Sequence, residues 1–250
     1  MTSDSDRPSS DGRNIFDREG DGAAVNKEAL TVCGRDCIVY CGAQPKVILI
    51  QPTGAHEQNA LDAQLALLER RCGDGFLFAA FPVTDWNREL SPWDAPPAFG
   101  KEAFGHGAAE TLVFVEGELL PMLLQKYDLP EELPVILGGY SLAGLFSLWS
   151  ALQTDRFAAA AAASPSVWFP GWVDFARQGT ILAKHVYLSL GDREEKTKNA
   201  SWRRWAPAFG RWKSFSAKRA WTVCWNGTRA TISGMRKNAL QPHLRGAWND

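Results

Sequence analysis

Short apolar runs bounded by turn formers alternate along this chain with stretches whose apolar residues recur every three or four positions. Val47-Ile48-Leu49-Ile50 is a continuous apolar run, as strands buried on both faces are. From Glu57 to Arg71 the spacing turns helical, with Leu61, Leu65 and Leu68 on one face. A second strand is expected over Phe76 to Phe81, ended by Pro82, and a helix with a glycine-interrupted middle over Ala108 to Tyr127. Pro134 to Gly138 reads as a strand, Leu145 to Leu152 as a helix, Phe157 to Ala163 as a strand of small residues, and His185 to Leu190 as a final clear strand. Alternation of this kind predicts an α/β fold, a mostly parallel sheet flanked by helices. Ligands in such sheets gather at the carboxyl ends of the strands. Those ends carry Gln51-Pro52-Thr53-Gly54, Asp85-Trp86-Asn87, Ser141, Ser164-Pro165-Ser166 and Gly191-Asp192-Arg193-Glu194-Glu195.

One of these ends has a specific form. In Gly138-Gly139-Tyr140-Ser141-Leu142-Ala143-Gly144 an apolar run ends in glycines, presents one serine and passes straight into a helical pattern. Strand, sharp turn and helix are the setting of a nucleophile elbow. The turn strains the serine's backbone, so its neighbours must be small, and Gly139 and Ala143 are. The pattern is G-x-S-x-G with alanine in the last place. Such a turn lifts the Ser141 hydroxyl above the sheet and aims the following helix N-terminus at it, where negative charge develops in acyl transfer. A serine buried in a glycine-rich turn is the plainer alternative.

The 250 residues suit one α/β domain, with 45% hydrophobic residues and no stretch long and apolar enough to span a bilayer. Residues 1–28 are rich in Ser, Asp, Gly and Arg, lack the apolar core of a signal peptide, and are expected to form a disordered leader. Five cysteines, an odd number, point to reduced thiols in the cytoplasm. Cys33, Cys37 and Cys41 recur every four residues but flank a strand-like run, and packing thiols are expected rather than a metal site. The net charge of −1 hides a break. Of 27 Lys and Arg, ten lie after Ala200; of 28 Asp and Glu, only Asp250 does; and six of the 11 tryptophans fall in the same last fifty residues.

The elbow, the step Ala163-Ser164-Pro165-Ser166-Val167-Trp168 and the Leu188-to-Glu195 loop together resemble the putative-esterase branch of the α/β-hydrolases, which includes the esterase D type and the enterobactin-type siderophore esterases. The resemblance covers roughly residues 30–199. It implies hydrolysis of a small-molecule ester through a serine acyl-enzyme, with no metal or organic cofactor and with no nucleic-acid or membrane partner. By that resemblance Ser141 is the nucleophile and the N–H of Leu142 forms half of an oxyanion hole. The second donor comes from the loop after Ile50, at Thr53. The triad acid follows the strand ending at Leu190, at Glu194 or alternatively Asp192. In the loop Asp85 to Trp93, the residues Trp86, Asn87 and Trp93 either grip the acyl group or pack the loop on the sheet.

The base has no obvious place. The resemblance puts a histidine after the last strand, in a segment such as W-N-x-G-N-H-F, yet the four histidines are His56, His106, His185 and His243. The first two precede Ser141, against the chain order serine, acid, histidine. His185 opens a strand at the far end of the sheet. Read one base earlier, however, the codons of Ser201 to Ala206 permit M-A-A-V-G, those of Cys224 to Ser233 permit L-E-W-N-P-G-N-H-F, and those of Arg236 to Trp248 permit R-T-A-x-A-F-A-W, a final helix. Three matches in succession, starting where the acids vanish, lead to the expectation that the frame shifts near residues 200–201 and that residues 201–250 are out-of-frame sequence from GC-rich DNA. The domain over 29–200 would then lack its last strand and helix, and its esterase activity would be close to nil. Two other functions stay open: a non-catalytic hydrolase-fold binding protein, and a genuine basic, Trp-rich tail that binds nucleic acid or anionic surfaces.

Overall fold

The computed structural model describes residues 26–98, 100–191 and 222–228. The apolar runs form one sheet. Its strands are β1 (Asn26–Val32), β2 (Arg35–Cys41), β3 (Ile48–Thr53), β4 (Leu77–Pro82), β5 (Val135–Tyr140), β6 (Ala159–Ala163), β7 (His185–Gly191) and β8 (Thr222–Thr228). Their order is β1-β2-β4-β3-β5-β6-β7-β8. The pairs β1–β2 and β2–β4 are antiparallel and all the others parallel. Each strand read from the sequence is present within a few residues of its expected bounds. The chain passes from β3 to β4 on one side, then crosses back to place β5 on the other. This switch opens a crevice at the carboxyl ends of β3 and β5.

Helices connect the parallel strands: α1 (Gln58–Cys72), α2 (Trp86–Glu89), α3 (Ala108–Phe114), α4 (Leu120–Lys126), α5 (Leu142–Gln153) and α6 (Trp172–Gln178). Between α3 and α4 the expected glycine interruption is a π-helical turn, Val115–Leu119, centred on Gly117 and followed by Pro121. Proline lacks an N–H and crowds the carbonyl four residues back, so the widened turn accommodates it. Helix α5 is buried along its whole length from Leu142 to Ala151, which explains its nearly continuous apolar sequence. It lies against β5 and β6, and the small Gly139, Ala160 and Ala162 on that face let the helix approach closely.

The two faces of the sheet differ. The main core, including Leu137, Ala160, Ala162, Val186 and Leu188, lies on one face, against α5 and its neighbours. On the other, α1 buries Leu61 and Leu68 against Tyr40, Phe76 and Phe78. Beyond α1 this face stays half-exposed at Ile136, Tyr140, Ala161 and Tyr187 and opens into a cleft of about 120 Å³.

Two expectations are corrected. The sheet does not end at β7: Thr222–Thr228 lies parallel along it from His185 to Gly191, so a strand occupies the position expected to be missing. The expected absence of a final helix concerns residues outside those described. The strand β1 begins at Asn26, inside the span 1–28 assigned to the leader. Of the three spaced cysteines, Cys37 is buried and Cys41 half-buried, as packing thiols are, but Cys33 is exposed in the β1–β2 turn with φ 48° and contacts Glu118. Burial pushes the Cys37 thiol up to about 11, so it is inert at neutral pH.

Candidate active site

Ser141 sits between β5 and α5 with φ 58° and ψ −117°, a backbone region costing about 1–3 kcal/mol for a residue with a side chain. Three contacts hold it there. Its N–H donates to Ala163 O at 3.0 Å, and its carbonyl accepts from the N–H groups of Leu145 and Ser166, each at 3.0 Å. Gly139 and Gly144 make the closeness possible. A Cβ on Gly139 would lie 2.4 Å from the Ala143 Cβ, and one on Gly144 would lie 3.2 Å from Pro165. The alanine at position 143 therefore fits because residue 139 has no side chain. The N–H groups of Leu142, Ala143 and Gly144 open the helix, where no intrahelical acceptor reaches them.

The step after β6 closes against this turn. Ser164 takes a left-handed backbone with φ 43°, and its N–H donates to Ser189 O at 2.7 Å. Pro165 abuts Gly144, and the buried Ser166 brings its Oγ to 3.2 Å from Ser141 Oγ. The sequence singles out the Ser-Pro-Ser step but gives no sign that its second serine faces Ser141; the turn at Ser164 does that.

Thr53 ends β3 and is buried; its hydroxyl donates to Gly54 O at 3.4 Å and its carbonyl accepts from Val83 N–H. The Gly54 N–H is taken by the Glu57 carboxylate at 3.3 Å. Asp192 and Glu194, which follow Gly191 at the end of β7 in the sequence, lie outside the described residues. In register, Gly191 pairs with Thr228, so the carboxyl ends of β7 and β8 lie side by side.

Trp86 and Asn87 are half-buried on α2, at the carboxyl end of β4, with Trp86 packed on the core. An ion pair fixes that turn. Arg35 reaches from β2 to Glu89 at 2.7 Å and to Pro82 O at 3.0 Å, and Glu89 also accepts from Thr84 and Asp85. Burial works against ionisation of Glu89, but the Asp85 N–H, Thr84 and Arg35 outweigh it and hold the carboxyl below its ordinary value. Trp93 packs: its indole N–H donates to Pro170 O at 2.9 Å, and its ring meets Phe169 and Phe175. The rings of Phe104, Phe169 and Trp168 continue that cluster.

The histidines differ sharply in their placement. His185 is exposed at the start of β7, at the end of the sheet away from Ser141. His106 is exposed and pairs through Nδ1 with Asp94 at 2.9 Å, which raises its pKa. His243 lies outside the described residues, as does the side chain of His56. Among the described residues, Ser166 is the hydroxyl partner of Ser141.

Residues 70–242 match the family model described as "Putative esterase". The chain belongs to that esterase family. The match continues across the composition break near residue 200. No curated protein matches significantly. Solved structures share the fold of this esterase. The siderophore hydrolase EstA from Aspergillus nidulans is 18% identical, with a TM-score of 0.65, covering 87% of this chain and 92% of that one. The BES protein from Bacillus cereus is 15% identical, TM-score 0.58, covering 96% and 97%. The enterobactin esterase FES from Shigella flexneri is 15% identical, TM-score 0.57, covering 82% of this chain but 54% of its own length. The α/β-hydrolase architecture and membership among carboxylic ester hydrolases follow from the family match and these folds.

Proposed function

We propose that this esterase is built to cleave a small-molecule ester, a siderophore or short acyl ester, through an acyl-enzyme on Ser141. The strained Ser141 backbone at the head of α5 carries this reading, because it presents the hydroxyl and the helix N–H groups to one point. Ser141 Oγ attacks the ester carbonyl and loses its proton to a base. The Leu142 N–H and a donor at Thr53 receive the oxyanion, and water then releases the acyl group. Glu194, or else Asp192, orients the base. Trp86 and Asn87 border the substrate; the siderophore hydrolase and the enterobactin esterase that share this fold favour that substrate class. The odd number of cysteines supports a reducing compartment, the cytoplasm.

The base is encoded out of frame, in codons overlapping Thr231 and Ile232, which follow β8 in the sequence. The chain as written therefore binds esters and is slowly acylated but hardly turns over. Incubation with a fluorophosphonate should give a slow, single adduct on Ser141, found by peptide mass and lost in Ser141→Ala. Hydrolysis of p-nitrophenyl acetate should stay near the Ser141→Ala rate, and moving the frame back by one base near codon 200 should raise it at least about 10³-fold. Ordinary Ser141-dependent turnover by the chain as written would refute the missing base; no adduct at all would favour a purely binding role.

A further inference from the structure

The Ser-Pro-Ser step holds Ser141 at two points: the Ser166 N–H donates to the Ser141 carbonyl at 3.0 Å, and the two hydroxyl oxygens lie 3.2 Å apart. Three independent features fix Ser166 there. Ser164 adopts its left-handed conformation against Ser189 O, Pro165 rests on the bare Cα of Gly144, and Ser166 is 1% exposed. A buried hydroxyl needs a hydrogen-bond partner, and for Ser166 that partner is Ser141 Oγ. Ser141 itself is half-exposed, so its proton leaves on the open side while the Ser166 proton stays behind.

We propose that Ser166 is a positioning residue for the nucleophile: its hydroxyl donates to Ser141 Oγ, fixes its rotamer and stabilises the negative charge that appears on that atom when its proton leaves. The role rests on reading Ser141 as the nucleophile. In acylation the Oγ–C bond forms as the ester C–O bond breaks, the Ser141 proton passes to a base and then to the leaving alcohol, and Ser166 keeps its own proton throughout. A donor to the charged form lowers the pKa of the group it faces.

The experiment places a titratable atom at the same point. In the full chain carrying Ser141→Cys, the pH dependence of iodoacetamide alkylation at residue 141, followed by peptide mass, reports the thiolate midpoint. Adding Ser166→Ala should raise that midpoint by about one pH unit, so that alkylation well below the midpoint slows about tenfold. Ser166→Thr, which keeps the hydroxyl, should leave the midpoint in place, and Ser166→Val, of the same shape without it, should move it as Ala does. The Thr–Val pair carries the test if the Ala variant does not fold. An unchanged midpoint in Ala and Val, or a lowered one, overturns the proposal. The midpoint is read without turnover, so its result is distinct from failure of fluorophosphonate to label Ser141, which would remove the nucleophile reading itself.

Discussion

At Gly139 and Ala143 the strand and helix of the serine turn come so close that a single methyl group decides whether they fit. Gly139→Ala would set its Cβ 2.4 Å from the Ala143 Cβ and 2.8 Å from the Ala143 carbonyl carbon. We expect a loss of about 1–3 kcal/mol in denaturant unfolding, only partly recovered by adding Ala143→Gly, because the main-chain clash remains. Loss of fluorophosphonate labelling should accompany it, since the same displacement moves the Ser141 hydroxyl. The need for small residues is visible in the sequence. The destination of Ser166 is not, because a left-handed serine ahead of a proline carries no sequence signal. Trp93 shows the same limit: its aromatic character is plain in the chain, but its bond to Pro170 depends on a distant loop folding beside it.

Elements are tied together by side chains far apart in sequence. Arg35 of β2 secures the turn of α2 through Glu89 and lies over the Phe114 ring at 4.8 Å. Arg35→Ala leaves a largely buried carboxylate short of its cation and should cost about 1–3 kcal/mol, with proteolysis first at Thr84 to Leu90; stable resistance there would argue against the anchor. The edge strand β1 is pinned on both faces. Lys27 pairs with Asp62 of α1, while Glu28 accepts from Tyr127 and pairs with Lys126 at the end of α4. The Tyr127 hydroxyl and then Lys126 hold Glu28 below its ordinary 4.5, and Lys27 and then Tyr40 hold Asp62 below 3.8. Lowered carboxylates stabilise the fold above their ordinary values, and that contribution disappears as pH falls through the lowered ones. Hydrogen exchange in Asn26–Val32, corrected for intrinsic rates, should therefore quicken below about pH 4, with Tyr127→Phe moving the onset upward. Periodicity reveals such strands and helices because burial sets it. These cross-ties escape it because they depend on which surfaces the topology brings together.

Across the whole molecule, the α/β alternation was legible from Val47 to Leu190, and the sheet follows it closely. What the sequence pattern missed are the edge strand β1, partly assigned to the leader, and β8, whose basic, Trp-rich surroundings hide a seven-residue strand along β7. Truncation after Ala200 would bare the β7 edge with its unpaired backbone groups, and the shortened chain should scatter light at concentrations where the full chain stays clear. An equally clear truncated chain would mean that β8 does little to cover that edge. The strand order has a consequence for synthesis. From β5 onward each new parallel strand is added at the outer edge of the one made before it: β5, β6, β7, then β8. A nascent chain can thus assemble its sheet outward as it leaves the ribosome, without reopening a pair already made. The serine turn and the Ser-Pro-Ser step that braces it are both translated before the composition changes, so this part of the candidate site can be in place before the basic, Trp-rich stretch exists.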